Sequence, residues 1–343
     1  MRLLVLGGTQ FVGHAAVAEG LARGWDVTVA NRGLSGPAPA GSRAVALDRT
    51  QPGAFDALAE ERFDVVLDTW SQAPRVVRDA ARALAPASDR WVYVSSRSVY
   101  SWPIPQHGDE TAAVVEADPD ADATDYAADK RGAELALERE LGVERVVHVR
   151  AGLILGPREN VGRLPWWLRR IARGGDVLAP GPEDLGIQYV DARDLARLAL
   201  DAGAAGRSGP VDTVSPAGGA TMGELLRACV DVTGASARLV WTPPEFVLGQ
   251  GIEPWGELPV WMPPEDIELY ALHTSDVRRA LDWGLRIRPL HETVADTWAW
   301  VRSVDGSGDV PQPRPGIGLD PDKEATALER WRARPGSAQP GSE

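Results

Sequence analysis

Over its first half the sequence repeats one pattern: a short apolar run, a break, and an amphipathic stretch. "RLLVLGG" reads as a buried strand and "FVGHAAVAEGLARG" as a helix closed by glycine. "WDVTVANR" and "RAVALD" are the second and third strands, followed by a helical "AFDALAEERF". "DVVLDTW" is the fourth strand, "APRVVRDAARALAP" a helix and "RWVYVSS" the fifth strand. After a long loop from Val99 to about Thr124, "TDYAADKRGAELALERELG" is a helix and "VERVVHVRAG" a sixth strand. Strands alternating with helices imply an α/β fold with a parallel, doubly wound sheet. Their unbroken apolar character fits a sheet covered on both faces.

The second half is less regular. "LPWWLRRIARGG" reads as a short helix, and "IQYVDARDLARLALDAG" as a strand running into a helix. "TMGELLRACVDVTG" is a helix with a capping box, Thr221 at the N-cap and Glu224 three residues on. Residues 242–268, rich in Pro, Trp and acids, read as an irregular segment over a pocket. "LHETVADTWAWVRS" and "DPDKEATALERWRAR" are late helices joined by a Pro/Gly connector.

Composition excludes some partners. A net charge of −13 over 343 residues argues against a nucleic-acid backbone, which needs clustered positive charge. Arg169, Arg170 and Arg173 form a local basic patch that could bind a phosphate, with a solvated helix face as the plainer reading. One cysteine, Cys229, forbids an internal disulfide and reads as a buried helix residue. "MRLLVLGG" is too short an apolar run for a signal peptide, and no stretch reaches about 18 apolar residues, so no membrane is expected. A soluble cytoplasmic protein is the expectation, and the excess of arginine over lysine suggests a bacterial coding sequence. His107, His273 and His291 lack metal-ligand spacing, so no metal is expected.

"GGTQFVG", residues 7–13, follows a strand and opens a helix, the setting in which helix N–H groups bind a pyrophosphate. Gly7 permits the tight turn and Gly13 the close helix–strand packing, while Gln10 replaces the usual middle glycine. The second strand ends in Asn31–Arg32, where an acid would hold the ribose of NAD. Arginine there suits a 2′-phosphate, so NADP(H) is expected over NAD(H). Asp48, ending the third strand, is placed for the adenine amino group. Asp68, Thr69 and Trp70 end the fourth strand at the edge where such sheets bind ligands.

Tyr126 and Lys130 stand four apart and share a helix face. A nearby ammonium favours a phenolate and makes tyrosine a usable acid–base group. The chain has only two lysines, which makes this placement informative. Ser96, ending the fifth strand, offers a hydroxyl to the same substrate oxygen.

These segments, with "YVSSRSVY", "VRAGLILGPREN" and "QYVDARDLARLAL", resemble the extended short-chain dehydrogenase/reductase superfamily, in its atypical NAD-dependent epimerase/dehydratase group, over roughly residues 1–300. The resemblance implies a Rossmann domain over 1–155 with a contribution from about 186–214. It implies a smaller substrate-binding part over 156–185 and 215–333, and 334–343 reads as a disordered tail. It assigns Ser96 to substrate orientation, Tyr126 to acid–base work and Lys130 to the nicotinamide ribose and to tuning the tyrosine. Thr9 and Phe11 join the cofactor loop by the same resemblance. The "GGT-x-F-x-G" form of the loop resembles a subgroup that includes RNA binders.

Three functions stay open at this stage: reduction of a ketone or oxidation of an alcohol, epimerisation of a nucleotide sugar with bound NAD(P), and a non-catalytic cofactor- or RNA-binding role. Sugar 4,6-dehydration is disfavoured because Arg97 and Ser98 stand where that subgroup carries an Asp–Glu pair. Trp70, Trp102 and Trp166 are candidates to contact a small-molecule substrate. A homodimer is left open.

Overall fold

The computed structural model describes residues 1–58, 60–306 and 313–334. The expected tail from 335 onward lies outside the described residues. The chain forms two compact units, each drawn from three segments.

The first unit comprises Met1–Ile154, Tyr189–Pro216 and Thr274–Ile287. Its strands are β1 (Arg2–Leu6), β2 (Asp26–Asn31), β3 (Arg43–Ala46), β4 (Phe63–Asp68), β5 (Ser88–Ser96), β6 (Val146–Ala151) and β7 (Gly209–Thr213). Its main helices are α1 (Phe11–Ala22), α2 (Pro74–Leu84), α3 (Tyr126–Leu141) and α4 (Ala192–Ala204). The seven strands lie in the order β7-β6-β5-β4-β1-β2-β3, all parallel. This is a Rossmann-type sheet, and the order reverses between β1 and β4.

Burial on both faces explains why the strands read as apolar runs. Leu3 and Val5 of β1 join one core with Val27, Val29, Val65 and residues of α1 and α4. Leu4 and Leu6 join the opposite core with Val66, Trp91, Tyr93 and residues of α2 and α3. Alternate side chains of a strand thus enter alternate cores.

Two local expectations are corrected. Where a helix is expected over 54–63, the described residues form a single 3₁₀ turn, Asp56–Leu58. Among the described residues of that stretch, only Phe55, Leu58 and Phe63 enter the core, while Glu61 is drawn to Arg2 and Arg43 in ion pairs. The strand expected before α4 shrinks to Val190–Asp191 and stands outside the large sheet. The seventh place is taken by β7, whose Gly–Pro start gave no strand signal.

The second unit comprises Leu155–Gln188, Ala217–His273 and the chain from Arg288. Helices Arg163–Ala172, Met222–Thr233 and Leu290–Asp305 pack together, beside parallel strands Gly175–Pro180 and Ala237–Thr242. Thr221 and Glu224 form the expected capping box, and Cys229 is fully buried in that helix. The segment 242–268 contains a short helix, Pro244–Gly249. In the terminal helix Pro321–Arg332, buried Glu324 accepts from Arg170 and from the Leu178 N–H.

Candidate active site

The glycine loop leaves β1 at Leu6 and enters α1 at Phe11. Gly7 has φ of +119°, and a Cβ there would stand 2.5 Å from Thr69 Oγ1. A Cβ on Gly13 would meet the Gly8 nitrogen at 2.7 Å, so only glycine lets α1 sit this close to the loop. The first closed turn of α1 is His14 N–H to Gln10 O at 3.0 Å. The N–H groups of Phe11, Val12 and Gly13 precede it, with no acceptor inside the helix, at its positive end. Gln10 is exposed and makes no capping bond with its side chain.

A cleft of about 400 Å³ opens at this point, where the strand order reverses. Gly7, Thr9, Gln10, Asn31, Arg32, Asp48, Thr69 and Trp70 line it. Asn31 donates to Gly7 O at 2.8 Å and accepts from the Gly33 N–H at 2.7 Å, tying the end of β2 to the loop. Arg32 is exposed and makes no hydrogen bond or salt bridge among the described residues. The Thr50 hydroxyl and N–H, at 2.7 and 3.0 Å, hold the Asp48 carboxyl below the usual range, with Arg32 adding to the effect. The glycine cradle, the free amides and the polar rim fit a dinucleotide.

Four residues of the expected cofactor set do not line this cleft. Phe11 and Gly13 are buried in the first turn of α1. Asp68 is corrected more sharply: it is fully buried, and both its oxygens are taken by Arg49 at 2.7 and 2.8 Å. Arg49 lines the cleft in its place and lies 5.0 Å over the Trp70 ring. Nothing in "LDRT" marked this arginine out.

Lys130 is the fourth. It is 3% exposed, and its Nζ donates to Trp70 O at 2.6 Å and to Val94 O at 2.7 Å. The Tyr93 ring lies 4.7 Å from it, and the Tyr93 hydroxyl donates to the same Trp70 oxygen at 2.9 Å. Burial pushes the amine down to about 7, against the pull of Asp68 and Glu134. Burial, then Asp68 and Tyr126, push the Tyr93 phenol well above its usual range.

Tyr126 is the first residue of α3 and is 51% exposed. Asp125 caps the helix by accepting from the Ala127 and Ala128 N–H groups, each at 3.0 Å. Asp129 accepts from the N–H and hydroxyl of Thr124, fixing the chain just before the tyrosine. Ser96 ends β5 with its Oγ 3.1 Å from both the N–H and hydroxyl of Ser98. No hydrogen bond joins Ser96, Tyr126 and Lys130 to one another among the described residues.

Behind them lies a buried polar network that no local pattern announced. Glu134, one turn beyond Lys130, accepts from Ser95 at 2.7 Å and from Arg150 at 2.8 and 3.0 Å. Burial alone would raise its carboxyl, but Arg150 brings it down to about 2. Arg150 reaches the Tyr100 hydroxyl at 3.3 Å, which donates to Asp212 at 2.6 Å. Burial pushes Asp212 up to about 6, although Arg97 lies 3.4 Å away. Of the other tryptophans, Trp102 is 52% exposed and lines no part of the cleft. Trp166 belongs to the second unit, edge-on to Trp167 with centroids 4.7 Å apart. No group of three or more His, Cys, Asp or Glu residues could hold a metal ion, and no helix is long and apolar enough to cross a membrane, among the described residues.

The family model for the NAD dependent epimerase/dehydratase family matches residues 3–214. Among solved structures, WbmH of Bordetella bronchiseptica in complex with NAD+ is 18% identical with a TM-score of 0.64, over 88% of this chain and 98% of that one. The UDP-glucose 4-epimerase of Thermus thermophilus, in complex with NAD, is 20% identical with a TM-score of 0.62, over 88% and 99%. The UDP-N-acetylglucosamine 4-epimerase of Bacillus cereus is 16% identical with a TM-score of 0.64, over 88% and 99%. At these identities the likeness is one of fold. No curated protein matches the chain.

Proposed function

Because the chain belongs to the NAD dependent epimerase/dehydratase family, and so is an NAD-dependent enzyme, we propose that it is an oxidoreductase that reduces a ketone, or oxidises the matching alcohol, of a small molecule. The observation that carries this reading is an exposed tyrosine, Tyr126, one helical turn from a fully enclosed lysine, on the unit that carries the dinucleotide-shaped cleft. When bound, the nicotinamide supplies or accepts the hydride. Tyr126 gives the proton to the carbonyl oxygen, and the Ser96 hydroxyl orients that oxygen. Lys130 spends two of its three N–H donors on backbone carbonyls and keeps one for a ribose hydroxyl or the phenol. Arg32, which lines the cleft, is exposed and has no salt bridge among the described residues, supports NADP(H) as the preferred cofactor.

Epimerisation with a retained dinucleotide is a second reading, favoured by the UDP-sugar epimerases that share the fold. Dehydration is disfavoured, since Arg97 is buried beside Asp212 where elimination would need a carboxylate pair. A nucleic-acid role is opposed by the net charge of −13.

The test is the cofactor content of the purified protein, followed by titration with NADPH and NADH. The reductase reading expects an exchangeable site, NADPH bound about tenfold tighter, and that preference lost in Arg32→Asp. Tightly retained NAD+ would move the assignment to the epimerase, and no dinucleotide binding would end both. With a turned-over substrate in hand, Tyr126→Phe should lower kcat by about 10²- to 10⁴-fold at unchanged dinucleotide affinity, and full activity in that variant would remove Tyr126 from the reaction.

A further inference from the structure

Trp70 stands between the cleft and Lys130, and each of its polar groups is engaged. Its N–H donates to Asp68 at 3.0 Å, its indole N–H to Ala73 O at 3.2 Å, and its carbonyl accepts from Lys130 and Tyr93. Arg49 lies across the ring and grips both Asp68 oxygens. We propose that Arg49 is a positioning residue for Lys130, acting through Asp68 and the Trp70 backbone. Its role in turnover rests on the hydride-transfer reading, but its effect on the amine does not.

The charges around Lys130 single out this pair. On its own helix, Glu134 is already neutralised by Arg150, and Asp129 is hydrogen-bonded by Thr124. Tyr93 faces it from β5, and Tyr126 lies one turn before it. Asp68, at the end of β4, is the strongest anionic influence on the amine, and Arg49 opposes it. Arg49 is the one salt-bridge partner of Asp68 among the described residues. Two carbonyls fix where the amine sits; burial is the largest influence on how readily it holds a proton, and the balance between Asp68 and Arg49 adjusts it.

The chain carries only two lysines, so the amine can be read directly. Protein grown with lysine labelled at the ε-carbon should give two resonances, assigned with a Lys323→Arg variant. Arg49→Met should raise the titration midpoint of Lys130 by about one unit, because Asp68 is left uncompensated. Asp68→Asn should lower it, because Arg49 then acts alone. The double variant removes both charges and should bring the midpoint between those of the two single variants, below the starting value because Asp68 outweighs Arg49. It also keeps the experiment readable if one single variant does not fold. Lys323, paired with Glu257, should not move in any of them. Shifts of the same sign in the two single variants would overturn the proposal, as would a double variant whose midpoint falls outside the range set by the two single variants or a Lys130 midpoint indifferent to the pair. An inactive protein with the expected shifts would leave this inference standing and sink the hydride-transfer reading instead.

Discussion

At the residue scale, Lys130 is an almost fully buried amine. Its folded value of about 7 lies below the ordinary 10.5. Between those limits the unfolded chain binds more protons than the folded one, so stability rises with pH from about 7 upward. Asp212 acts in a lower window and with the opposite sign. Its folded value of about 6 exceeds the ordinary 3.8, so its contribution falls as pH rises between them. Lys130→Met should therefore flatten the climb in stability above pH 7, followed by urea unfolding between pH 7 and 9. An undiminished slope in that variant would mean the amine is not desolvated. Tyr126 and Lys130 were legible in the sequence because four residues make one helical turn and because lysine is scarce here. Arg49 was not, because its meaning depends on Asp68, 19 residues away. Asp68 was read as facing a ligand because strand ends usually do, and the arginine that turns it inward leaves no local trace.

At the element scale, α1 shows why the glycine loop could be read and what it protects. Alanine is intrinsically better than glycine inside a helix by about 1 kcal/mol. Gly13→Ala should nonetheless lower the Tm and weaken dinucleotide binding at least about tenfold, because the added methyl meets the Gly8 nitrogen at 2.7 Å. Calorimetry and a binding titration would check both, and an unchanged affinity would show that the loop can retreat without loss. The same local logic made β1 and β4–β6 readable, since strands covered on both faces need consecutive apolar residues. It failed over 54–63, where the apolar spacing suits a helix but Gly53 and the pull of Arg2 and Arg43 on Glu61 leave a single turn. It failed again at β7, a strand of five residues that starts with Gly–Pro and borrows its place from β6.

At the scale of the whole molecule, each unit gathers segments that are distant in sequence, as when Thr274–Ile287 joins the unit begun by Met1. Long-range polar pairs follow from that weaving. The chain from Arg150 through Glu134 to Ser95 ties β6, α3 and β5, and Tyr100 carries it to Asp212 on β7. No window of sequence contains those partners together, so the network became visible only in three dimensions. One consequence of the lysine distribution concerns the folded chain's exposure to a protease. An endoproteinase that cuts after lysine has two targets in 343 residues, and one of them is 3% exposed within α3. Cleavage at Lys323 should come first, and a cut after Lys130 should occur only when α3 opens, so the rate of that second cut, followed by mass spectrometry, becomes a clock for the loosening of the helix that carries Tyr126.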